Sequence, residues 1–374
     1  MYIKFSWCRS LSDHLFSEHD YTQLLKQVAH STPFNHIAWL TAAEKSLEKH
    51  QQLHLLLGHK GSELVLCLPL IICCEKVLGL PIKTIRHLGY PLSDRIALAV
   101  RPNSDAVLEQ ALAQIRKTLS FSRIQLSEIT SQAAQVSGLK NWNDKFWFAE
   151  NRVTCACPAH QISEQDRIEP SGNIRYKLRK ARKRAEALPA TIERITPNAA
   201  NVLAVIDTIS EVEQLSWKGK DSVGIFSGAL RQQWMTHALS GFAETQDLRV
   251  LTMSYAGRCI SYRLGFFDKG RIYDYNLAFL PEYASLGSGR LLLDEWIQWG
   301  LDEGWQWIDA SRVSMHDSSH QLHERCTDFI EHRRWSFYSM RPTGLVLGLS
   351  YKIWTLIKPL LKARNSTQKG DTNE

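Results

Sequence analysis

Residues 248–309 follow an order that few folds accommodate. Three runs of strand character, 248–255, 258–267 and 271–277, are separated by Ala256-Gly257 and by Asp268-Lys269-Gly270. Turns this short force successive strands to run antiparallel. A loop ending in Leu286, Gly287, Ser288 and Gly289 comes next, then a helix over 290–303 and a strand over 305–309, giving β-β-β-loop-α-β. The two glycines remove side chains where a helix begins. Main-chain N–H groups of residues 287–291 can therefore converge on a pyrophosphate, with the helix dipole behind them and Arg290 adding a formal charge. Glycine also marks tight turns for purely conformational reasons, so the pair alone does not establish a ligand. A dinucleotide-binding unit would need a third glycine and a parallel crossover, and a P-loop would need Gly-Lys-Ser/Thr at the helix start. Neither is present.

A chain of 374 residues exceeds one ordinary core, so two domains are expected. With 44% hydrophobic and 22% charged residues the composition is globular, excluding a disordered or multi-spanning protein. A net charge of +7 favours an anionic ligand or surface without requiring nucleic acid. The eight cysteines form no regular framework, and Cys155 and Cys157 have no second Cys/His pair at zinc-finger spacing, so inert thiols in a reducing compartment and no metal are expected. The first residues lack the apolar run and cleavage site of an export signal, so a cytoplasmic location is expected.

The first half reads as mixed α and β: a strand over 2–7, helices over 20–29 and 39–49, a hairpin of 53–58 with 63–74, strands at 84–88 and 96–100, a helix over 104–119 and a strand at 123–126. Residues 151–172, with Cys155, Cys157, Pro158 and Pro170 among polar neighbours, read as a crossover rather than a helix or strand. The expected division is an N-terminal domain over 1–150, a linker over 151–170, a C-terminal domain over 171–340, and an amphipathic helix with a polar tail over 341–374. After Ser171, the apolar positions Ile174, Leu178, Ala181, Ala185 and Leu188 predict a helix. Arg175, Lys177, Arg179, Lys180, Arg182, Lys183 and Arg184 crowd its other face, either as a solvated surface or as the seat of an anionic partner.

Residues 249–309 resemble the second half of a GNAT acyltransferase fold. A wider set resembles the cellulose-biosynthesis-type (BioF2-like) acetyltransferase branch of that superfamily, which is related to the FemAB peptidyltransferases. The set comprises Pro33, Phe34 and Trp39; residues 68–70; Gly89, Ser93 and Asp94; the basic helix; Glu213 with Ser216, Trp217, Lys218 and Gly219; residues 283–293; and Gly304 and Asp309. The resemblance implies an α+β chain of tandem GNAT-like domains, each a mixed, mostly antiparallel sheet flanked by helices, the first degenerate and the second holding an acyl-CoA. Leu286, Gly287, Ser288, Gly289 and Arg290 would grip the donor's phosphates. Ala284 stands where the family carries a basic or amide side chain, which shifts that work to backbone amides and Arg290. The resemblance further implies that strands 271–277 and 305–309 splay apart to admit the pantetheine arm, and that the acceptor attacks the thioester directly.

For the general base, Glu213, Asp309, Tyr275 and His316 come into view. Glu213 precedes Trp217 and Lys218, the expected substrate contacts, with an ion pair to Lys218 or Lys220 as its structural alternative. Asp309 ends a buried strand, with Arg312 as a structural partner. Tyr275 alternates with Tyr273, so that one of them could protonate the departing thiolate or simply pack. His316, His320 and His323 have no firmly placed carboxylate partner for a metal. Trp296, Trp299, Trp305 and Trp307 read as core. Residues 345–361, with Trp354, Lys352 and Lys358, suit an interfacial helix, so peripheral membrane contact is a possible partnership. The expected function is an N- or O-acyltransferase acting on a small molecule or an envelope polysaccharide or lipid precursor. The alternatives are an aminoacyl-tRNA-dependent transferase, in which the basic helix would bind tRNA, and a catalytically degenerate scaffold that binds a glycan or protein.

Overall fold

Both two-residue turns have the geometry that hairpins demand. Ala256 and Gly257 adopt φ of 50° and 77°, and Lys269 and Gly270 adopt 51° and 76°, matching the right-handed twist of the flanking strands. The computed structural model describes residues 3–77, 79–102, 105–130, 136–168, 170–313 and 320–370. Among these residues the strands are β1 (Lys4–Cys8), β2 (Gln52–Lys60), β3 (Glu63–Val77), β4 (Leu80–His87), β5 (Ala99–Val100), β6 (Arg123–Thr130), β7 (Phe148–Gln161), β8 (Thr191–Ile195), β9 (Leu248–Tyr255), β10 (Arg258–Asp268), β11 (Arg271–Phe279), β12 (Trp307–Asp309) and β13 (Asp328–Tyr338). The helices are α1 (Glu18–Gln27), α2 (Ile37–Lys45), α3 (Asp105–Thr118), α4 (Val136–Lys140), α5 (Gly172–Ala187), α6 (Val202–Leu215), α7 (Trp217–Lys220), α8 (Gly228–Glu244), α9 (Ser288–Glu303) and α10 (Pro342–Gly370).

All strands join one mixed sheet in the order β1-β2-β3-β4-β6-β13-β7-β12-β11-β10-β9-β8, with β5 on β3. The layout repeats. Four antiparallel-paired strands lead to a parallel pair at β4 and β6, and four more lead to a parallel pair at β11 and β12. Between the two sets lie β13 and β7. The last described strand, β13, pairs with β6, and β7 pairs with β12, so the first set is completed by a strand from the far end of the chain and the second by the strand that precedes it.

Residues 148–161 therefore differ from the sequence reading: they form a 14-residue strand, not irregular crossover. Pro158 is tolerated there, and Cys155, Cys157 and Ala159 are buried. The strand is laddered to β13 along most of its length and to β12 at Ala159, His160 and Gln161, a tertiary gain that local propensity does not register. Strands β8 and β13 were likewise not anticipated; β13 carries Glu331, Arg333 and Arg334 among its apolar positions, which masks its alternation.

The core runs across both sets. Trp39 is wholly buried and meets the rings of Trp234, Phe266 and Tyr275 at 5.7–5.8 Å. Its Nε1 donates to Ser93 Oγ at 2.8 Å. Gly89, at φ +104°, permits this approach: a Cβ there would stand 2.3 Å from Ser93 Oγ and 3.2 Å from Trp39 Nε1. Trp296, Trp299 and Trp305 pack on one another at 5.4–5.5 Å, a core cluster rather than a platform for sugar.

Candidate active site

Strand β11 pairs with β12 only through Arg271, Ile272 and Tyr273. Beyond that point β12 ends and β11 continues to Phe279 against β10 alone, so the two strands open into a V. A cavity of 820 Å³ occupies the opening, within the size range of small-ligand sites. Asp274, Tyr275, Asn276 and Leu277 form its strand side; Trp217 and Lys218 come from α7, and Arg312, His320 and Gln321 close the far side.

The glycine turn lies at the same end of the sheet. Gly287 caps α9 in the left-handed conformation at φ 73°, and no side chain caps the helix. A Cβ on Gly289 would meet the Gln321 amide at 3.0 Å. The wholly buried Arg263 fixes this corner. It donates to Asp274, to the Gly289 carbonyl at 3.0 Å and to Gln321 Oε1 at 3.0 Å, tying the helix start to the cavity's strand. Helix α5 flanks the turn, with Arg184 donating to the Ser285 carbonyl. Arg290 is ion-paired to Glu324 at 2.8 Å, and Lys177 reaches the same carboxylate at 2.6 Å. Arg182 pairs with Asp294 at 2.8 Å. Part of the basic face is thus engaged within the molecule, and so is Arg290.

Glu213 is buried and accepts hydrogen bonds from the Phe226 amide at 2.8 Å, Tyr262 Oη at 3.2 Å and Asn276 Nδ2 at 2.5 Å. The other end of the Asn276 amide accepts from Lys218 Nζ. Glu213 therefore orients Asn276, which holds the lysine at the cavity wall. Burial is the largest influence on Lys218 and lowers its pKa, while Glu213, Asp94 and Asp274 pull the other way. Trp217 is 52% exposed beside it. Tyr275 lines the cavity, but its hydroxyl donates to the Leu92 carbonyl at 2.9 Å and its ring packs on Phe34. Burial pushes its pKa well above the usual phenol value, with Asp94 and Glu213 adding to the effect.

Asp309 has no exposed surface and lies outside the cavity lining. Arg95 grips it bidentately at 2.6 and 2.8 Å, Arg271 adds a contact at 2.8 Å, and the Ser311 amide donates at 2.9 Å. Burial alone would raise its pKa; these cations, Arg95 foremost, outweigh it and hold the carboxyl low. Its partner is thus Arg95, not Arg312, which faces Glu128 at 3.4 Å. His316 lies outside the described residues. His320 is 3.3 Å from Asp274.

Two groups gained prominence only in three dimensions. Asp94 is half-buried in the segment after β4, close enough to Lys218, Tyr275 and Arg312 to act on their charges. Burial raises its pKa to about 7, against the opposing pull of Arg312 and Ser311. The Ser93-Asp94 signature was its only trace in the sequence. Cys155, Cys157 and His332 converge with ligand atoms within 4.8 Å of one another, a soft donor set compatible in type with zinc. Arg95 Nε donates to His332 Nε2 at 2.9 Å, however, which leaves the proton on Nδ1, facing Cys157 at 3.9 Å and Glu128 at 3.5 Å. Such an arrangement suits a hydrogen-bonded thiol, imidazole and carboxylate cluster better than a metal.

Residues 172–318 match the family described as acetyltransferase (GNAT) domain. No curated protein sequence matches the chain. Among solved structures, FemX is similar over 94% of this chain and 99% of its own, with a TM-score of 0.61 at 10% identity. A tandem GNAT protein from the clavulanic acid biosynthesis pathway aligns over 90% of this chain and 98% of its own, with a TM-score of 0.52 at 12% identity. L-PGS from Bacillus licheniformis aligns over 90% and 96%, with a TM-score of 0.53 at 10% identity. Identities this low speak to the fold alone. Residues 172–318 thus match a GNAT-type acetyltransferase domain, and over its length the chain shares the fold of FemX and of a tandem GNAT protein.

Proposed function

We propose that this protein transfers an acyl group from an acyl-CoA to an amine or hydroxyl of a small molecule or of an envelope polysaccharide or lipid precursor. The observation that carries the reading is the 820 Å³ cavity in the V between β11 and β12, beside the uncapped start of α9. The unpaired side of β11 beyond Tyr273 offers main-chain groups to an amide-bearing pantetheine arm, which would add to the sheet as a short strand. The amides after Gly287 would receive the diphosphate. Arg290, held by Glu324, serves to position the turn rather than as a free phosphate ligand.

Asp94 is the base in this scheme; it stands behind the cavity lining, close to the lining residues Lys218, Tyr275 and Arg312. With a pKa near 7 its carboxylate is substantially available at neutral pH and still basic enough to take a proton from the acceptor. The acceptor nitrogen or oxygen bonds to the acyl carbon, the carbon–sulfur bond breaks, and the acceptor's proton passes to Asp94. The thiolate then leaves and takes a proton from solvent. Lys218, held by Asn276, stabilises negative charge developing on the carbonyl oxygen. Glu213, Asn276 and Asp309 orient other groups, and Tyr275, bonded to Leu92, shapes the wall. Trp217 offers an exposed face to the acceptor.

Thermal unfolding with acetyl-CoA and longer acyl-CoAs tests the reading. A ligand at about 100 times its Kd stabilises by about 2.7 kcal/mol, so a clear upward shift in Tm is expected. Gly289→Glu, which places a carboxylate at the phosphate site, should abolish that shift. The absence of a shift with every thioester would exclude the donor. The basic face of α5 beside the turn favours one second reading, an aminoacyl-tRNA donor. Retention of tRNA that weakens steeply with salt, without any response to acyl-CoA, would establish that reading instead. A tight glycan or protein ligand with neither donor bound would mark a scaffold.

A further inference from the structure

We propose that α10 and the basic pocket at its foot seat the protein on an anionic phospholipid surface. Helix α10 is attached along one side. Gly344, Leu347, Gly348 and Tyr351 follow at intervals of three, one and three residues, and they face the body of the protein. A Cβ on Gly348 would stand 2.4 Å from the Trp147 ring, and Tyr351 donates to Glu150. At about 100° per residue, Leu345, Leu349, Ile353, Leu356 and Ile357 fall on the opposite side of the helix. All are exposed, Leu349 to 54% and Leu356 to 72%, and Trp354 beside them is 52% exposed. A continuous apolar stripe of this kind is costly in water.

Charge identifies what covers it. From Arg341 to Gly370 the sequence carries Arg341, Lys352, Lys358, Lys362, Arg364 and Lys369 and no acidic residue. Lys352 lies against the Trp147 and Phe148 rings, 5.1 and 4.7 Å from their centres, at the border of the stripe. A second observation points the same way. At the foot of α10 a cavity of 280 Å³ is lined by Arg116, Lys145 and Arg341 around an apolar floor that includes Phe121, Phe146 and Met340, with no acid among its lining residues. Exposed cations above apolar walls suit a phosphate headgroup whose acyl chains continue beside the stripe. No helix among the described residues is long and apolar enough to cross a membrane. The contact is therefore with the surface of the bilayer, with α10 lying in the interfacial plane.

Co-sedimentation of the full chain with vesicles tests this, using phosphatidylcholine alone and an equal mixture of phosphatidylcholine and phosphatidylglycerol. Binding is expected to the mixture, to fall as salt screens the charges, and to be at least roughly tenfold weaker on phosphatidylcholine. Leu349→Glu with Ile353→Glu, both at exposed positions, should reduce binding by roughly tenfold or more while leaving Tm unchanged. Arg116→Glu with Lys145→Glu should erase most of the preference for the anionic vesicles. Failure to bind either vesicle, or equal binding to both, overturns the proposal. A concentration-dependent dimer of the parent that Leu349→Glu with Ile353→Glu disperses, without vesicle binding, would assign the face to a second copy and overturn it as well.

Discussion

At β4 and β6, as at β11 and β12, two parallel strands pair over a few residues and then part. In the first set the chain fills the gap itself. After β4 it turns back, the Leu88 amide bonds to Pro69, Ile96 bridges to Ile129, and β5 pairs with β3. Among the described residues nothing comparable enters the second set, and a cavity of 820 Å³ lies there. Helix α9 of the open copy begins on a left-handed glycine, whose neighbouring amides would attract a phosphate. One frame, used twice, thus gives a plugged copy and an open copy. The plug also reaches the open copy: Asp94 lies near Lys218, Tyr275 and Arg312, and Arg95 grips Asp309.

The largest effect is expected where the plug is anchored. Arg95→Ala leaves the buried Asp309 without its bidentate partner and should cost about 3–5 kcal/mol in urea unfolding. Replacing both, Arg95→Met with Asp309→Leu, should cost much less, since no charge is stranded; equal losses would show that the pair does not act as a unit. Next comes Asp94→Asn, for which kcat/KM should fall about 100-fold. In the parent, activity should rise with pH up to about 7 and then level, because the working form of Asp94 is the carboxylate; the variant should lose that limb. The linkage has the opposite sign for folding. A carboxyl whose pKa is raised in the fold loses stability as pH climbs from its ordinary range to about 7, so Asp94→Asn should be the more stable protein above pH 7. Denaturation at two pH values separates that gain from the loss of activity.

Lys218→Met should lower kcat by about tenfold with little change in donor affinity, as expected of a group that acts on charge formed during reaction. The smallest effect is expected in the plugged copy. Asp105→Gly should leave acyl-CoA binding unchanged within about twofold, because the gap beside α3 is already filled by protein. A large gain in binding from that change would mean that the first V is a second donor site.

What could be read from the sequence was what local pattern encodes. Two glycine turns announced the hairpins, and Gly287 and Gly289 announced an unusual helix start. The three-strand meander, α9 and the packing of Trp296, Trp299 and Trp305 followed directly, whereas Trp307, read as core, is half-buried under Arg271. The α+β class and its duplication came with the resemblance. The middle of the sheet did not. Strand β7 holds Pro158 and many polar residues, and β13 is heavy in charge; each is a strand because it pairs with strands far away in sequence. Asp309 illustrates the same limit. The nearby Arg312 looked like its partner, whereas Arg95, 214 residues away, is. Glu213 and Lys218 are linked through the Asn276 amide rather than by direct pairing, a relation that no spacing reveals. The carboxyl of Asp94 is tuned by burial and by Arg312, Ser311 and Glu128, residues remote in sequence that a linear reading does not bring together.

Hydrogen exchange with and without saturating acyl-CoA addresses the difference between the two V-shaped openings most directly. Slowed exchange is expected in residues 274–279 and 287–291, with residues 84–98 unchanged. Protection confined to 84–98, or no protection anywhere despite binding, would contradict the assignment of the donor to the second opening.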